Sequence, residues 1–429
     1  IAIASLMLIA LWAYHFPKLG VSFMPALDEG TTLDMPVSCP RIGITQAADD
    51  LKHRDGLLRG FPEVESVIGK AGRADTPTDP APLEMFETLV NFRPKALWPE
   101  RVLRFDDAVL QSRLILAALE AKGLVQSLPS RGMSEAIPAG QTRDELINDA
   151  TQKALERFDE TMRELALLRY REFERALGPQ LTRFGVEQAL RFMLRKKPPP
   201  SDEKRAELVH QLVPDFATAI AKHPALEDAS RLATATATFL VDENVIGDAA
   251  RALEWRQNTM GRIGSFVGEL FGIRKQTLPG ALLGAIEEER TRLWRERVQQ
   301  INAELFEHGT QAYTWYALEE LPRAAGTLGL ISGAPHGPAT HRFVQEAVKP
   351  RLGRDPEIDA FKPFSDLRQE LEKPFRERVF FWPRTSGPKG DLVDDEMSRV
   401  LQVPGWSNIF TQPIINRIEM LSTGVRTDI

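Results

Sequence analysis

The sequence predicts an α+β protein: a small mixed unit assembled from two distant parts of the chain and interrupted by a long all-helical insertion. Three observations predict it. Between Thr31 and Phe92, short alternating runs bracket one amphipathic run. From about residue 99 to 390, apolar residues recur at helical spacing between Gly and Pro breaks. After 390, a short helical pattern and one more strand-like run appear, which are the elements the first part lacks.

Thr31 to Val37 alternates as a strand, and Thr45 is placed to cap a helix with apolar positions at Ala48, Leu51, Leu57 and Leu58, stopped by Pro62. Val64 to Ile68 reads as a second strand, the Gly, Pro and Asp-rich run 69–82 as a loop, and Phe86 to Phe92 as a third strand. Leu392, Met397, Val400 and Leu401 give a short helix, Pro404-Gly405 a turn, and Trp406 to Phe410 a fourth strand. Joined across the gap, the order is βαββαβ, the ferredoxin-like split βαβ arrangement.

In the helical stretch, Leu146, Ala150, Leu155, Phe158, Met162, Leu165, Phe173 and Leu177 share one stripe, which Gly178-Pro179 is expected to close. A second helix starts at Ser201-Asp202 after Pro198-Pro199-Pro200, and others are expected over 243–272, 280–308, 310–331 and 364–381. No run of 18 or more apolar residues occurs there, so the stretch reads as a bundle in water.

A chain of 429 residues has room for two or three domains, and 43% hydrophobic with 27% charged residues is ordinary globular composition. A net charge of −6 offers no basic field, so nucleic acid is not an expected partner. The one cysteine, Cys39, excludes an internal disulfide and a CxxC metal site. Residues 1–16 are apolar and uncharged, with Trp12 and Tyr14 suited to a membrane interface, and residues 1–18 are read as the end of a transmembrane helix. The chain opens without Met and closes on a motif of mid-protein character, and is read as a piece of something longer. The expected divisions are 1–18, 19–98, 99–390 and 391–429.

Two methionine-bearing segments carry the chemistry. One runs Gly69-Lys70-Ala71-Gly72-Arg73-Ala74-Asp75-Thr76-Pro77-Thr78-Asp79-Pro80-Ala81-Pro82-Leu83-Glu84-Met85, the other Pro413-Ile414-Ile415-Asn416-Arg417-Ile418-Glu419-Met420-Leu421-Ser422-Thr423-Gly424. With Phe23-Met24-Pro25-Ala26-Leu27-Asp28-Glu29-Gly30 and Phe61-Pro62-Glu63-Val64-Glu65, they resemble the heavy-metal efflux branch of the resistance-nodulation-division (RND) transporters, in its Cus-type copper/silver form. The resemblance covers roughly residues 1–98 and 391–429 and is silent on the helical stretch. Glu419 stands where relatives usually have Asp, and Ser22 where an acid is common.

That resemblance implies a transporter and not an enzyme: a proton-driven inner-membrane permease of a Gram-negative cell, with most of this chain in the periplasm. It implies a homotrimer acting with a membrane-fusion adaptor and an outer-membrane channel. No cofactor is implied; Cu(I) or Ag(I) is the cargo. Met85 and Met420 match two of three methionine ligands in a porter cleft, with Glu84 and Glu419 as weaker companions, and the third ligand is expected beyond Ile429 along with the proton-relay carboxylates. The chemistry agrees, since neutral thioethers suit a soft monovalent ion and need no deprotonation. Core filling is the ordinary role of methionine. Export of another cation or an organic solute on the same scaffold is one alternative, and a helical binding or docking module carried on the scaffold is another.

The helical stretch shows weaker constellations. His336 and His341 are five apart in a Gly/Pro loop, not at the i, i+4 spacing that aligns two ligands. Gly264, Gly268 and Gly272 favour close helix packing, and Glu287-Glu288-Glu289 with Arg290, Arg292, Arg295 and Arg297 make an ion-paired surface helix. Asp75 and Asp79 are solvated acids that could draw cations towards the methionines. No phosphate-binding loop, nucleophile elbow or HExxH occurs.

Overall fold

The computed structural model describes residues 30–73, 82–123, 125–126, 143–194, 197–249, 278–327, 362–386, 390–402, 410–411 and 427–428, together with Ser5, Trp12, Leu253 and Trp406. In chain order the elements are β1 (Thr31–Asp34), α1 (Ile44–Leu58), β2 (Val64–Ala71), β3 (Phe86–Phe92), β4 (Glu100–Val102), α2 (Phe105–Ala121), α3 (Arg143–Leu194), α4 (Asp202–Lys222), α5 (Leu226–Asp242), α6 (Leu278–Thr327), α7 (Lys362–Arg378) and β5 (Trp382–Pro383). A π-helical turn, Leu392–Met397, then runs into Ser398–Val400 before β6 (Phe410–Thr411) and β7 (Thr427–Asp428). The chain divides into two compact units, one comprising 1–60, 64–94 and 384–429, the other 61–63 and 95–383.

The first unit is a five-stranded sheet ordered β6-β1-β3-β2-β7, with every pair antiparallel. Residues 86, 88, 90 and 92 of β3 are all buried, and the period of two puts them on one face. There Phe86 joins Ala47 and Leu51 of α1 in one apolar cluster, against which Trp406 packs. The stripe that α1 buries is Ala47, Leu51, Arg54, Asp55 and Leu58, so two charges occupy positions that spacing alone assigns to apolar side chains. Thr45 is not the cap of α1: extended Gly43 is, without a side-chain bond, and Thr45 already lies in the first turn. The helix ends at Leu58, ahead of Pro62, where Gly60 N–H bonds the Leu57 carbonyl.

The second unit is helical and is closed at its base by a ribbon, β4 against β5, with Val102 opposite Trp382. Because β4 follows only the 3-10 turn Lys95–Leu97 and β5 is the last element of the 95–383 stretch, its two ends meet. The long helices α3 and α6 run antiparallel, since Thr161 meets Tyr316, Arg169 meets Glu304 and Phe173 meets Trp294. One apolar core runs through the unit, from Ile115 and Phe158 to Ile301, Leu321 and Phe375.

Two expected breaks are absent. Gly178-Pro179 does not end a helix: α3 continues through Pro179 to Leu194 as 52 residues. A Cβ on Gly178 would stand 2.5 Å from the Ala217 carbonyl oxygen of α4, so this glycine is a contact point between helices. Packing along both flanks outweighs the roughly 3 kcal/mol that an internal proline costs. Likewise Gly309 does not divide α6, a single 50-residue helix where two were expected, because the Phe381 ring fills the place of its side chain. Ser201 does cap α4, accepting from Lys204 N–H.

The expected helix 243–272 and the Gly264, Gly268, Gly272 repeat lie almost wholly outside the described residues, as do His336, His341, Asp75 and Asp79. So does the apolar segment 1–18, apart from Ser5 and Trp12. Among the described residues no helix is long and apolar enough to cross a membrane.

Candidate functional site

Met85 lies at the mouth of the β2–β3 hairpin, where the chain re-enters the sheet. Gly72 leaves β2 with φ +74°, a left-handed conformation that favours glycine, and its N–H donates to the Met85 carbonyl at 2.9 Å. The Met85 N–H donates to the Pro82 carbonyl at 3.0 Å, so both backbone groups of this residue are fixed. Ser38 N–H bonds the Glu84 carbonyl at 3.0 Å, and Phe86 N–H bonds the Pro36 carbonyl at 3.1 Å. These bonds extend the β1–β3 pairing by one bridge, Val37 opposite Met85, in the register set by Asp34 opposite Thr88.

That register identifies a thioether that the sequence reading missed. Residues 33, 35 and 37 of the first segment share a face with 85, 87 and 89 of β3, since side chains alternate along a strand. Met35 packs with Leu33 and Leu89, which fixes the face. Met35 is therefore a diagonal cross-strand neighbour of Met85, a relation that long side chains can span. Both methionines are half-buried. The signal was available as the alternation of Leu33, Met35 and Val37, but only the pairing register shows which residues of β3 lie beside them.

On this face Glu87 stands directly opposite Met35 and two residues along β3 from Met85, and its carboxylate meets Lys70 Nζ of β2 at 3.1 Å, both side chains being buried. The opposite face carries a second charged group: Arg54 grips Asp34 through two nitrogens, at 2.5 and 2.9 Å. Burial raises the Asp34 pKa while Arg54 opposes the rise. Met420 and Glu419 lie outside the described residues. The described residues that flank them form the two edges of the same sheet: Thr411 pairs with Leu33 on one side, and Thr427 with Gly69 on the other. Among the described residues no group of three or more His, Cys, Asp or Glu comes together as a metal site.

Part of the chain is similar to heavy-metal efflux proteins. It is 43% identical over 91 residues, 21% of this chain and 8% of the relative, to the cation efflux system protein CusA of Escherichia coli (strain K12). It is 43% identical over 81 residues, 19% of this chain and 8% of the relative, to the putative cation efflux system protein SilA of Salmonella typhimurium. To the nickel-cobalt-cadmium resistance protein NccA of Alcaligenes xylosoxydans xylosoxydans it is 34% identical over 111 residues, 26% of this chain and 10% of the relative. The matched part of the chain thus spans a tenth or less of the length of these relatives. No family model matches the chain, and no solved structure matches it.

Proposed function

We propose that this chain is a portion of an RND-type heavy-metal exporter, and that its sheet unit is a ferredoxin-like porter element presenting thioethers to Cu(I) or Ag(I). The observation that carries the reading is the register that puts Met35 and Met85 on one sheet face as diagonal cross-strand neighbours, with Thr411 and Thr427, the described residues nearest Met420 in sequence, pairing at the two edges of that sheet. The strand order β6-β1-β3-β2 supports the fold, being the fourth-first-third-second order of a split βαβ half, to which β7 adds an edge. In this reading the third thioether is Met35, inside the chain, in place of the residue expected past Ile429.

Thioether sulfur is soft and neutral, so it favours a monovalent d¹⁰ ion over hard divalent competitors. Since nothing must be deprotonated, the ion is taken up and passed on with no proton released at the sulfurs. Glu87, held by Lys70, adds little net charge to that face. The wider assembly follows the family scheme: a homotrimer in the inner membrane, proton-driven through intramembrane carboxylates, working with an adaptor and an outer-membrane channel. A second reading, export of divalent cations, is favoured by the similarity to NccA.

The test is tolerance in a copper-sensitive strain expressing the full-length gene with Met35, Met85 or Met420 changed singly to Ile. Each substitution is expected to lower copper and silver tolerance at unchanged protein level. Unchanged tolerance in all three would remove the thioether site, and loss of nickel or cobalt tolerance alone would establish the divalent reading.

A further inference from the structure

The α1 face of the sheet holds a carboxyl that the thioether site does not use. Asp55 is 1% exposed. Its Oδ1 accepts a hydrogen bond from the Thr88 hydroxyl of β3 at 2.9 Å, while its Oδ2 has no hydrogen-bond partner. Oδ2 abuts β2 at Gly69, occupying the space that a Cβ there would need, with Leu51 packed against the same point at 2.7 Å. That contact leaves no room for an ion on the Gly69 side. The charged groups facing Asp55 are Asp34 from β1 and Arg54 from its own helix. Arg54 is already committed, to both Asp34 oxygens and to the Leu401 carbonyl at 3.4 Å, with the Trp406 ring 5.5 Å away. Lys70 and Glu87, next to Gly69 and Thr88 in their strands, pair with each other on the opposite face. Ionised, Asp55 would put a carboxylate into an apolar contact without a cation of its own.

We propose that Asp55 is a pH-sensitive latch of the sheet unit, which fastens α1 onto β2 and β3 when protonated and loosens that packing when ionised. Burial drives this, helped by the neighbouring Asp34 charge and opposed by Thr88 and Arg54, and together these push the carboxyl up to about 6. The folded form therefore holds the proton more tightly than the unfolded chain, whose carboxyl titrates near 4. The latch contributes its full stability below about pH 4 and loses it as pH rises through about 6. The proposal does not depend on which ion the thioethers take.

Hydrogen–deuterium exchange of the full chain, corrected for intrinsic exchange rates, tests it at pH 5 and pH 7.5. The opening equilibrium of amides in α1 and β2 is expected to rise about tenfold from the lower to the higher pH. Asp55→Asn, which keeps the shape without the charge, is expected to abolish most of that step. An equal step in the variant, or none in the wild type, overturns the proposal. If the variant fails to fold, the carboxyl carbon of Asp55 in the wild-type chain decides: a midpoint near 6 supports the latch, and one below 4.5 ends it.

Discussion

The two units differ in how their interiors are assembled. The sheet unit is gathered from separate stretches of chain, and its interior mixes short apolar clusters with buried charge: Asp34 with Arg54, Lys70 with Glu87, and Arg384 with Glu396 at 3.0 Å. The helical unit is almost one continuous stretch, sealed where β4 meets β5, and one apolar core unites its helices. It too buries an ion pair, Arg101 with Glu63, beside hydroxyls satisfied across its helices, as where Tyr313 donates to the Ala108 carbonyl and Thr151 to Ser112. Buried ion pairs need exact partners, whereas an apolar core tolerates exchange at constant volume. Both units therefore hold buried pairs that need their partners, but the sheet unit, which carries the candidate site, sets its pairs among small apolar clusters and not within one large core.

The largest effects should come from removing one member of a buried pair in each unit. Arg54→Ala in the sheet unit and Arg101→Ala in the helical unit, where Arg101 and Glu63 are both fully buried at 2.7 Å, are each expected to cost about 3–5 kcal/mol. Exchange mapping sharpens the comparison. The first variant should expose α1 and β2 while α3 and α6 stay protected, and the second should do the reverse. Coincident loss of both regions would show that the units do not behave independently.

A smaller effect is expected from crowding the helical core. Gly178→Ala drives a methyl into the Ala217 backbone and should cost about 1–3 kcal/mol in urea unfolding, more than Gly309→Ala, whose neighbours are the Phe381 and Met162 side chains. Equal costs would mean that the α3–α4 contact yields as readily as a side chain does. Smallest of all, Lys153→Ala removes an exposed i, i+4 pair with Asp149 and should change stability by about 0.3–0.5 kcal/mol. A loss above about 1 kcal/mol would break the view that surface pairs matter little here.

Much of the sheet unit could be read from sequence because its signals are local. Alternation places β2 and β3 close to where they lie, and the distant 391–411 segment supplies the turn at Leu392–Met397 and the edge strand β6. Punctuation misled in the helical unit. Gly178, Pro179 and Gly309 look like breaks in a linear reading, yet each sits inside a long helix, because a glycine that admits a neighbouring helix or ring has the same local appearance as one that ends a turn. Asp55 escaped notice for a related reason: its charge marks it as surface although its spacing puts it on the buried stripe, and only the sheet places Gly69 and Thr88 against it.

By itself the sequence determined that two methionine-bearing segments were present, that a strand begins at Phe86 directly after Met85, and that helices fill the middle of the chain. These follow from composition and from periods of two and 3.6, which any short window contains. The tertiary structure alone decided that Met35 shares a sheet face with Met85 as its diagonal neighbour, that Arg54 is spent on Asp34, and that the ends of the helical stretch meet. Such facts depend on pairing register between segments distant in the chain, and a shift of one residue would turn either methionine to the other face.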